Sequence, residues 1–152
     1  MRIRCLAIGR SRDRLIAELV ERYRARCPWT IEIVELDLKK QLDRARRIEA
    51  EGELLLAGIE RDERVIVLDE RGRGLSSEAF AETLGAWRDQ GMADVACLIG
   101  GADGLAPRVR ERADLVLALG ALTWPHELVR VLLVEQLYRA SAILSGHPYH
   151  RA

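Results

Sequence analysis

DVACLIGGADGLAPRVRERADLVLALG, residues 94–120, holds two short apolar runs separated by a glycine-rich turn and an Arg-rich stretch that opens at Pro107. Runs this short, apolar almost throughout and ended by glycine, read as strands buried on both faces. Pro107 at a helix start places a short helix between them. A strand, a covering helix and a further strand are the repeating unit of a parallel sheet, so this stretch sets the fold class as α/β.

The same alternation extends outward in both directions. Upstream, RVIVLDERG (64–72) is a short strand running into Asp69 and a glycine turn, and Ser76 or Ser77 caps a helix to Gln90 packed by Phe80, Leu84 and Trp87. Residues 2–8 form a largely buried strand, with Ile3, Cys5 and Ala7 on one parity and Leu6 and Ile8 on the other, ended by Gly9. Ser11 is positioned to cap a helix over 12–27, stopped by Pro28. Residues 30–38 alternate as a second strand, and 40–59 form a helix with Leu42, Ile48, Leu55, Leu56 and Ile59 on its apolar stripe. Downstream, Pro125 and His126 open a last helix to about Leu144, followed by Gly146 and the tail HPYHRA. That helix carries almost no polar stripe, and an all-round apolar helix is buried on every side. In so short a chain the expected cover for its second face is another copy, an isologous homodimer.

The chain has 152 residues, 49% apolar and 32% charged, which fits one domain over 1–152. No linker or internal repeat divides it. Its longest apolar runs fall far below the roughly 20 residues of a membrane-spanning helix. The five-residue run after Arg4 is too short for a signal peptide, so a cytoplasmic protein without membrane association is expected. Three widely spaced cysteines form no CxxC pair, which argues against a disulfide framework or zinc site. His147 and His150 lack a third ligand, and no metal is expected. The formal net charge is zero, yet residues 1–26 carry eight Arg against three acids, and Lys39, Lys40, Arg44, Arg46 and Arg47 make a second basic cluster. This asymmetry suits one phosphate-facing side, although solvated helix faces give similar runs.

Phosphate-loop chemistry is excluded: both lysines lack the preceding glycines of GxxxxGK[ST], and GGADG at 100–104 is not GxGxxG after a first strand. Three small, apolar strand ends remain, at Leu68-Asp69, at Gly100 and Gly101, and at 119–125. Open α/β sheets bind ligands at that edge, and three such ends can grip an adenine between backbone groups and aliphatic side chains. Simple burial is the competing reading for Leu119 to Leu122. The tail places imidazole, phenol and guanidinium groups within five residues, a constellation able to handle protons, stack on a base and bind phosphate.

Quoted together, LIGGADGL (98–105), ALGALTWPHELVRVLLVEQLYRA (118–140) and the terminal HPYHRA, with AIG after the first strand and VLD at 67–69, resemble the large-subunit ribosomal RNA methyltransferase H family. These bacterial SPOUT enzymes methylate N3 of a pseudouridine in 23S rRNA. The resemblance covers essentially the whole chain. It implies a SPOUT-type α/β knot, a mostly parallel sheet flanked by helices with a deep C-terminal trefoil knot, in a homodimer acting on 23S rRNA within the ribosome. It also implies S-adenosylmethionine bound by Leu68, Gly100, Gly101, Leu119, Gly120, Ala121, Leu122, Thr123 and Trp124. The substrate side corresponds to His126, Arg130, Glu135, Tyr138, Arg139 and His147, and the catalytic group to Tyr149, His150 and Arg151. GADG stands where GPEG is commoner, GALT for SALT, and Trp124 for a smaller apolar residue; Gly120 thereby removes a side-chain hydroxyl. Competing functions are a SPOUT enzyme acting on tRNA, a catalytically silent ribosome-assembly factor, and a generic α/β nucleotide-binding enzyme.

Overall fold

A computed structural model describes residues 1–151; Ala152, the last position of the expected 1–152 domain, lies outside the described residues. Among the described residues the chain alternates β1 (Arg2–Ile8), α1 (Arg14–Arg26), β2 (Thr30–Leu36), α2 (Arg44–Ala57), β3 (Arg64–Gly74), α3 (Ser77–Asp89), β4 (Asp94–Ile99), α4 (Pro107–Glu111), β5 (Leu115–Ala118) and α5 (His126–Ser145). The sheet order is β2-β1-β4-β3-β5 and every pairing is parallel.

The two parities read along β1 separate into two apolar layers. Ile3, Cys5 and Ala7 join Phe80, Leu84, Leu133 and Leu137 on the face covered by α1, α3 and α5. Leu6 and Ile8 join Leu55, Ala106 and Val109 on the face covered by α2 and α4. Each helix therefore follows its strand onto a definite face. Crossovers over α1 and α3 step one way along the sheet and those over α2 and α4 step the other, so all four connections share one hand, as parallel crossovers require.

Several boundaries differ from the sequence reading. Asp13, not Ser11, caps α1: its carboxylate accepts from the amides of Leu15 at 2.8 Å and Ile16 at 3.4 Å. A charged acceptor complements the helix dipole better than a hydroxyl does. The Ser11 amide instead donates to Glu35 at 2.8 Å, joining the loop after β1 to β2. α2 starts at Arg44 behind the Asp43 cap rather than at residue 40. β3 does not end in a turn at residue 72 but continues to Gly74, its register on β5 shifting between Leu68 and Arg73.

The cover of α5 is a larger correction. It packs against both α1 and α3 and lies on the sheet, so most of its apolar surface is buried within one chain. What remains open lies near its start, where Leu122, Trp124 and Leu128 are exposed.

Candidate active site

β3, β4 and β5 run parallel, so their carboxyl ends share one edge of the sheet. A cleft of about 660 Å³ opens there. Leu68, Gly100, Gly101, Leu119, Gly120, Leu122, Thr123 and Trp124 line it, as does His126 at the start of α5. Ala121 is exposed and is not part of the lining. Asp69, Glu70, Arg71, Arg44 and Asp103 also border the cleft, giving it a charged rim that strand patterning alone did not reveal.

Local contacts fix the cleft walls. Asp69 accepts from the Arg71 amide at 2.9 Å and from Arg110 Nη1 at 3.1 Å, so α4 holds the carboxylate at the end of the buried part of β3. Thr123 Oγ1 donates to Glu70 at 2.9 Å, tying the loop after β5 to the β3 extension. Trp124 Nε1 donates to the Leu119 carbonyl at 3.0 Å and closes that loop on itself. Gly120 has φ +103°, a conformation that side chains with a Cβ rarely adopt.

Gly101 is required for another reason. A Cβ there would stand 2.7 Å from Glu51 Oε2 and 3.1 Å from Ile8 Cγ2. Glu51 thus lies behind the glycine turn, buried, with Oε2 lacking a hydrogen-bond partner. Desolvation raises its pKa above the usual carboxylate value, Arg47 at 4.0 Å opposes this, and Asp103 adds to it. Sequence reading did not single out Glu51: its helical position resembles that of any solvated acid.

The C-terminal tail docks elsewhere. The Tyr149 hydroxyl donates to Glu135 Oε1 at 2.9 Å, and Arg139 donates to the same oxygen. The Tyr149 and Tyr138 ring centroids are 4.4 Å apart, with the Arg26 guanidinium 4.9 Å from the Tyr138 ring. His150 Nε2 lies 2.7 Å from Glu78 Oε1, while Nδ1 lies 3.4 Å from Arg139 Nη1. Burial first, then the bond to Glu135, pushes the Tyr149 phenol up to about 12. Glu78 is held below its ordinary value by its own backbone amide, by Ser76 and by His150. The His147 ring accepts from the Tyr149 amide at 3.2 Å, and Arg151 is exposed. The structure therefore gathers Glu135, Tyr138, Arg139, Tyr149 and His150 around the middle of α5, with His147 just past its C-terminal end, while none of them lines the cleft.

Arg130, expected on the substrate side, is buried. Its Nη2 donates to the Ile8 and Gly9 carbonyls at 3.0 and 2.7 Å, and Nη1 donates to Glu35 at 2.8 Å. It satisfies carbonyls at the end of β1, where the sheet provides no further partners, and that occupation keeps its guanidinium out of the cleft.

Among the described residues no cluster of His, Cys, Asp or Glu has the arrangement of a metal site, and no helix is long and apolar enough to cross a membrane. The family described as "Predicted SPOUT methyltransferase" matches residues 1–150. A protein of Rhodospirillum centenum named "Ribosomal RNA large subunit methyltransferase H" is 52% identical over the full length of both chains. Relatives of the same name from Cereibacter sphaeroides and Nitrobacter winogradskyi are 48% and 44% identical, each over 99% of both chains. Among solved structures, a probable methylase family protein from Haemophilus influenzae is similar in fold, with TM-score 0.58 at 13% identity, over 99% of this chain and 70% of the other.

Proposed function

Because this chain belongs to the SPOUT methyltransferase family, we propose that it uses S-adenosylmethionine to methylate N3 of a pseudouridine in 23S rRNA, on the assembled ribosome. The observation that carries this reading is the convergence of Leu68, the Gly100-Gly101 pair and the loop 119–124 on one cleft at three strand ends. The full-length likeness to proteins named as large-subunit rRNA methyltransferases supports the choice of RNA. The proposal includes a cytoplasmic homodimer of single-domain chains, each with the C-terminal trefoil knot its resemblance implies.

The cleft suits the cofactor. Its volume lies within the range of small-molecule sites, and backbone free of Cβ atoms at Gly100 and Gly101 admits a flat ring. Glu70 offers negative charge to a ligand bearing a sulfonium and an ammonium, while Asp69 is engaged by Arg110. Leu68, Gly100, Gly101 and the loop 119–124 would hold S-adenosylmethionine, which would supply a methyl group to base N3 and leave as the neutral thioether. The protein aligns the acceptor nitrogen and takes up the N3 proton. His150 is the proposed acceptor, directly or through a water. With Nε2–H donated to Glu78, Nδ1 accepts from Arg139 Nη1 at 3.4 Å, so Arg139 must swing aside for Nδ1 to take the proton. Tyr149 remains protonated through neutral pH and so serves to position the base rather than to deprotonate it. Arg151 stabilises negative charge developing on the base.

The second copy is proposed to cover the apolar residues left exposed at the start of α5, Leu122, Trp124 and Leu128. A partner there borders the cleft and can add RNA contacts to it.

Transfer of labelled methyl from S-adenosylmethionine to unmethylated assembled ribosomes, separated subunits and bulk tRNA tests the reading, with the product nucleoside identified by mass spectrometry. Label on 23S rRNA pseudouridine is expected. Label on tRNA alone moves the substrate, and cofactor binding without any label overturns the catalytic assignment.

A further inference from the structure

A second cavity, of about 300 Å³, lies between β5, α3 and α5. It shares Leu117, Leu119, Gly120 and Trp124 with the cofactor cleft. Gly120 borders both spaces and presents no side chain to either, and an added Cβ there would meet nothing within 4 Å beyond its chain neighbours. Beyond that rim, Leu75, Phe80 and Leu132 give the second cavity apolar walls, and Ser77 and Gln136 give it a neutral polar one.

The polar wall has unused hydrogen-bonding capacity. Ser77 Oγ donates to Gln136 Oε1 at 2.8 Å, and Gln136 Nε2 donates to Glu135 Oε2 at 2.7 Å. One amide hydrogen of Gln136, a second lone pair on its Oε1 and the lone pairs of Ser77 Oγ remain available. A mixed set of neutral donors and acceptors between aliphatic and aromatic walls matches a pyrimidine ring and suits a phosphate poorly. The sequence neighbours of these two residues hold the tail: Glu78 bonds His150 and Glu135 bonds Tyr149.

We propose that this second cavity seats the flipped-out target base of the RNA, with Gln136 and Ser77 as the groups that read it. The proposal rests on the methyltransferase reading and adds to it the base pocket. A base entering from the α3 side meets the cofactor cleft across Gly120, with the proton-handling tail on the adjoining residues. Pseudouridine is attached through C5 and so carries an N1–H that uridine lacks. An acceptor on Gln136 or Ser77 gives that hydrogen a partner, which supplies selectivity for pseudouridine, because a site built to bind an N–H strongly rejects the analogue without it.

Two variants test the seat, each assayed on ribosomes carrying pseudouridine or uridine at the methylated position. Leu132→Trp fills the cavity and is expected to lower methyl transfer about 100-fold while the S-adenosylmethionine Kd by calorimetry stays within about twofold. Gln136→Leu removes the polar wall with little change of volume and is expected to reduce the pseudouridine-to-uridine ratio of kcat/KM by about tenfold. Should Leu132→Trp fail to fold, Gln136→Leu alone decides through that ratio. An unchanged ratio overturns the proposal, as does a Leu132→Trp protein that loses cofactor affinity, since the cavity then holds part of the cofactor. A parent chain that methylates no RNA overturns the methyltransferase reading itself; a parent that methylates normally, with an unchanged ratio, overturns only the base seat.

Discussion

Tyr149 donates its hydroxyl hydrogen to Glu135 Oε1 at 2.9 Å, pinning the C-terminal tail to the middle of α5. The phenol is raised to about 12 by burial and by this bond, above an unfolded value of about 10. A raised pKa means that the folded state favours the protonated form, so the stabilisation is complete below about pH 10 and is lost as pH climbs toward 12. An absorbance titration at 295 nm is expected to show one tyrosinate forming late, near pH 12, and Tyr149→Phe is expected to remove that late component. A late component surviving in Tyr149→Phe assigns it to another tyrosine.

Arg130 joins three elements through one guanidinium: α5, the end of β1 and Glu35 of β2. Its side chain is 3% exposed, so removing it leaves the Ile8 and Gly9 carbonyls without their partner and Glu35 with the Ser11 amide alone. Arg130→Met is expected to destabilise the fold by about 3 kcal/mol in urea unfolding. Arg130→Lys is expected to recover little of that, because an ammonium cannot reproduce a fork directed at two groups. A loss below about 1 kcal/mol for Arg130→Met shows that water replaces these bonds adequately.

The parallel sheet is legible in sequence because burial writes itself into alternation: Ile3, Cys5 and Ala7 face one layer, and Leu6 and Ile8 face the other. Strand ends at Leu68, Gly100 and Leu119 are legible for the same reason, since each ends an apolar run. Details settled by competition between similar groups are not. Ser11 and Asp13 are both acceptable caps, and the choice falls to Asp13 once the Ser11 amide is drawn to Glu35. Arg130 reads as one more polar residue on an apolar helix until the β1 carbonyls it serves are known. Gln136 shows no signal in the pattern, as its significance arises from facing Ser77 across two helices distant in sequence.

Gly101 and Glu51 form a coupled pair at the back of the cleft. Gly101→Ala puts a Cβ 2.7 Å from Glu51 Oε2, so the buried Glu51 carboxylate must shift away from the turn. We expect S-adenosylmethionine binding measured by calorimetry to weaken about tenfold, the scale of an overpacked contact. Shortening the neighbour should relieve the strain, so Gly101→Ala with Glu51→Ala is expected to bind more tightly than Gly101→Ala alone. Additive losses in the double variant indicate that the two residues act independently.

The proposed role of Arg151 is in turnover and not in cofactor binding. It is exposed at the end of the docked tail and outside the cleft lining. Arg151→Ala is expected to lower kcat on ribosomes about 100-fold, the scale of one lost charge-stabilising group, with the S-adenosylmethionine Kd changed less than about twofold. Unchanged turnover removes Arg151 from the catalytic assignment.

Basic residues suited to phosphate stand at the same sheet edge as the cleft. Arg10 and Arg12 follow β1, Lys39 and Lys40 follow β2, and Arg44 reaches the cleft rim; all five are exposed. RNA backbone lying across these loops passes beside the proposed cofactor site, and each phosphate neutralised releases counterions. Ribosome affinity is therefore expected to fall with salt, while S-adenosylmethionine affinity is nearly independent of it. Replacing Arg12 and Lys40 together by Ala should reduce the log-log salt slope for RNA by about 1.4, at roughly 0.7 per single-strand phosphate contact. Equal salt slopes for RNA and cofactor, or an unchanged slope in the double variant, place the RNA on another face of the sheet.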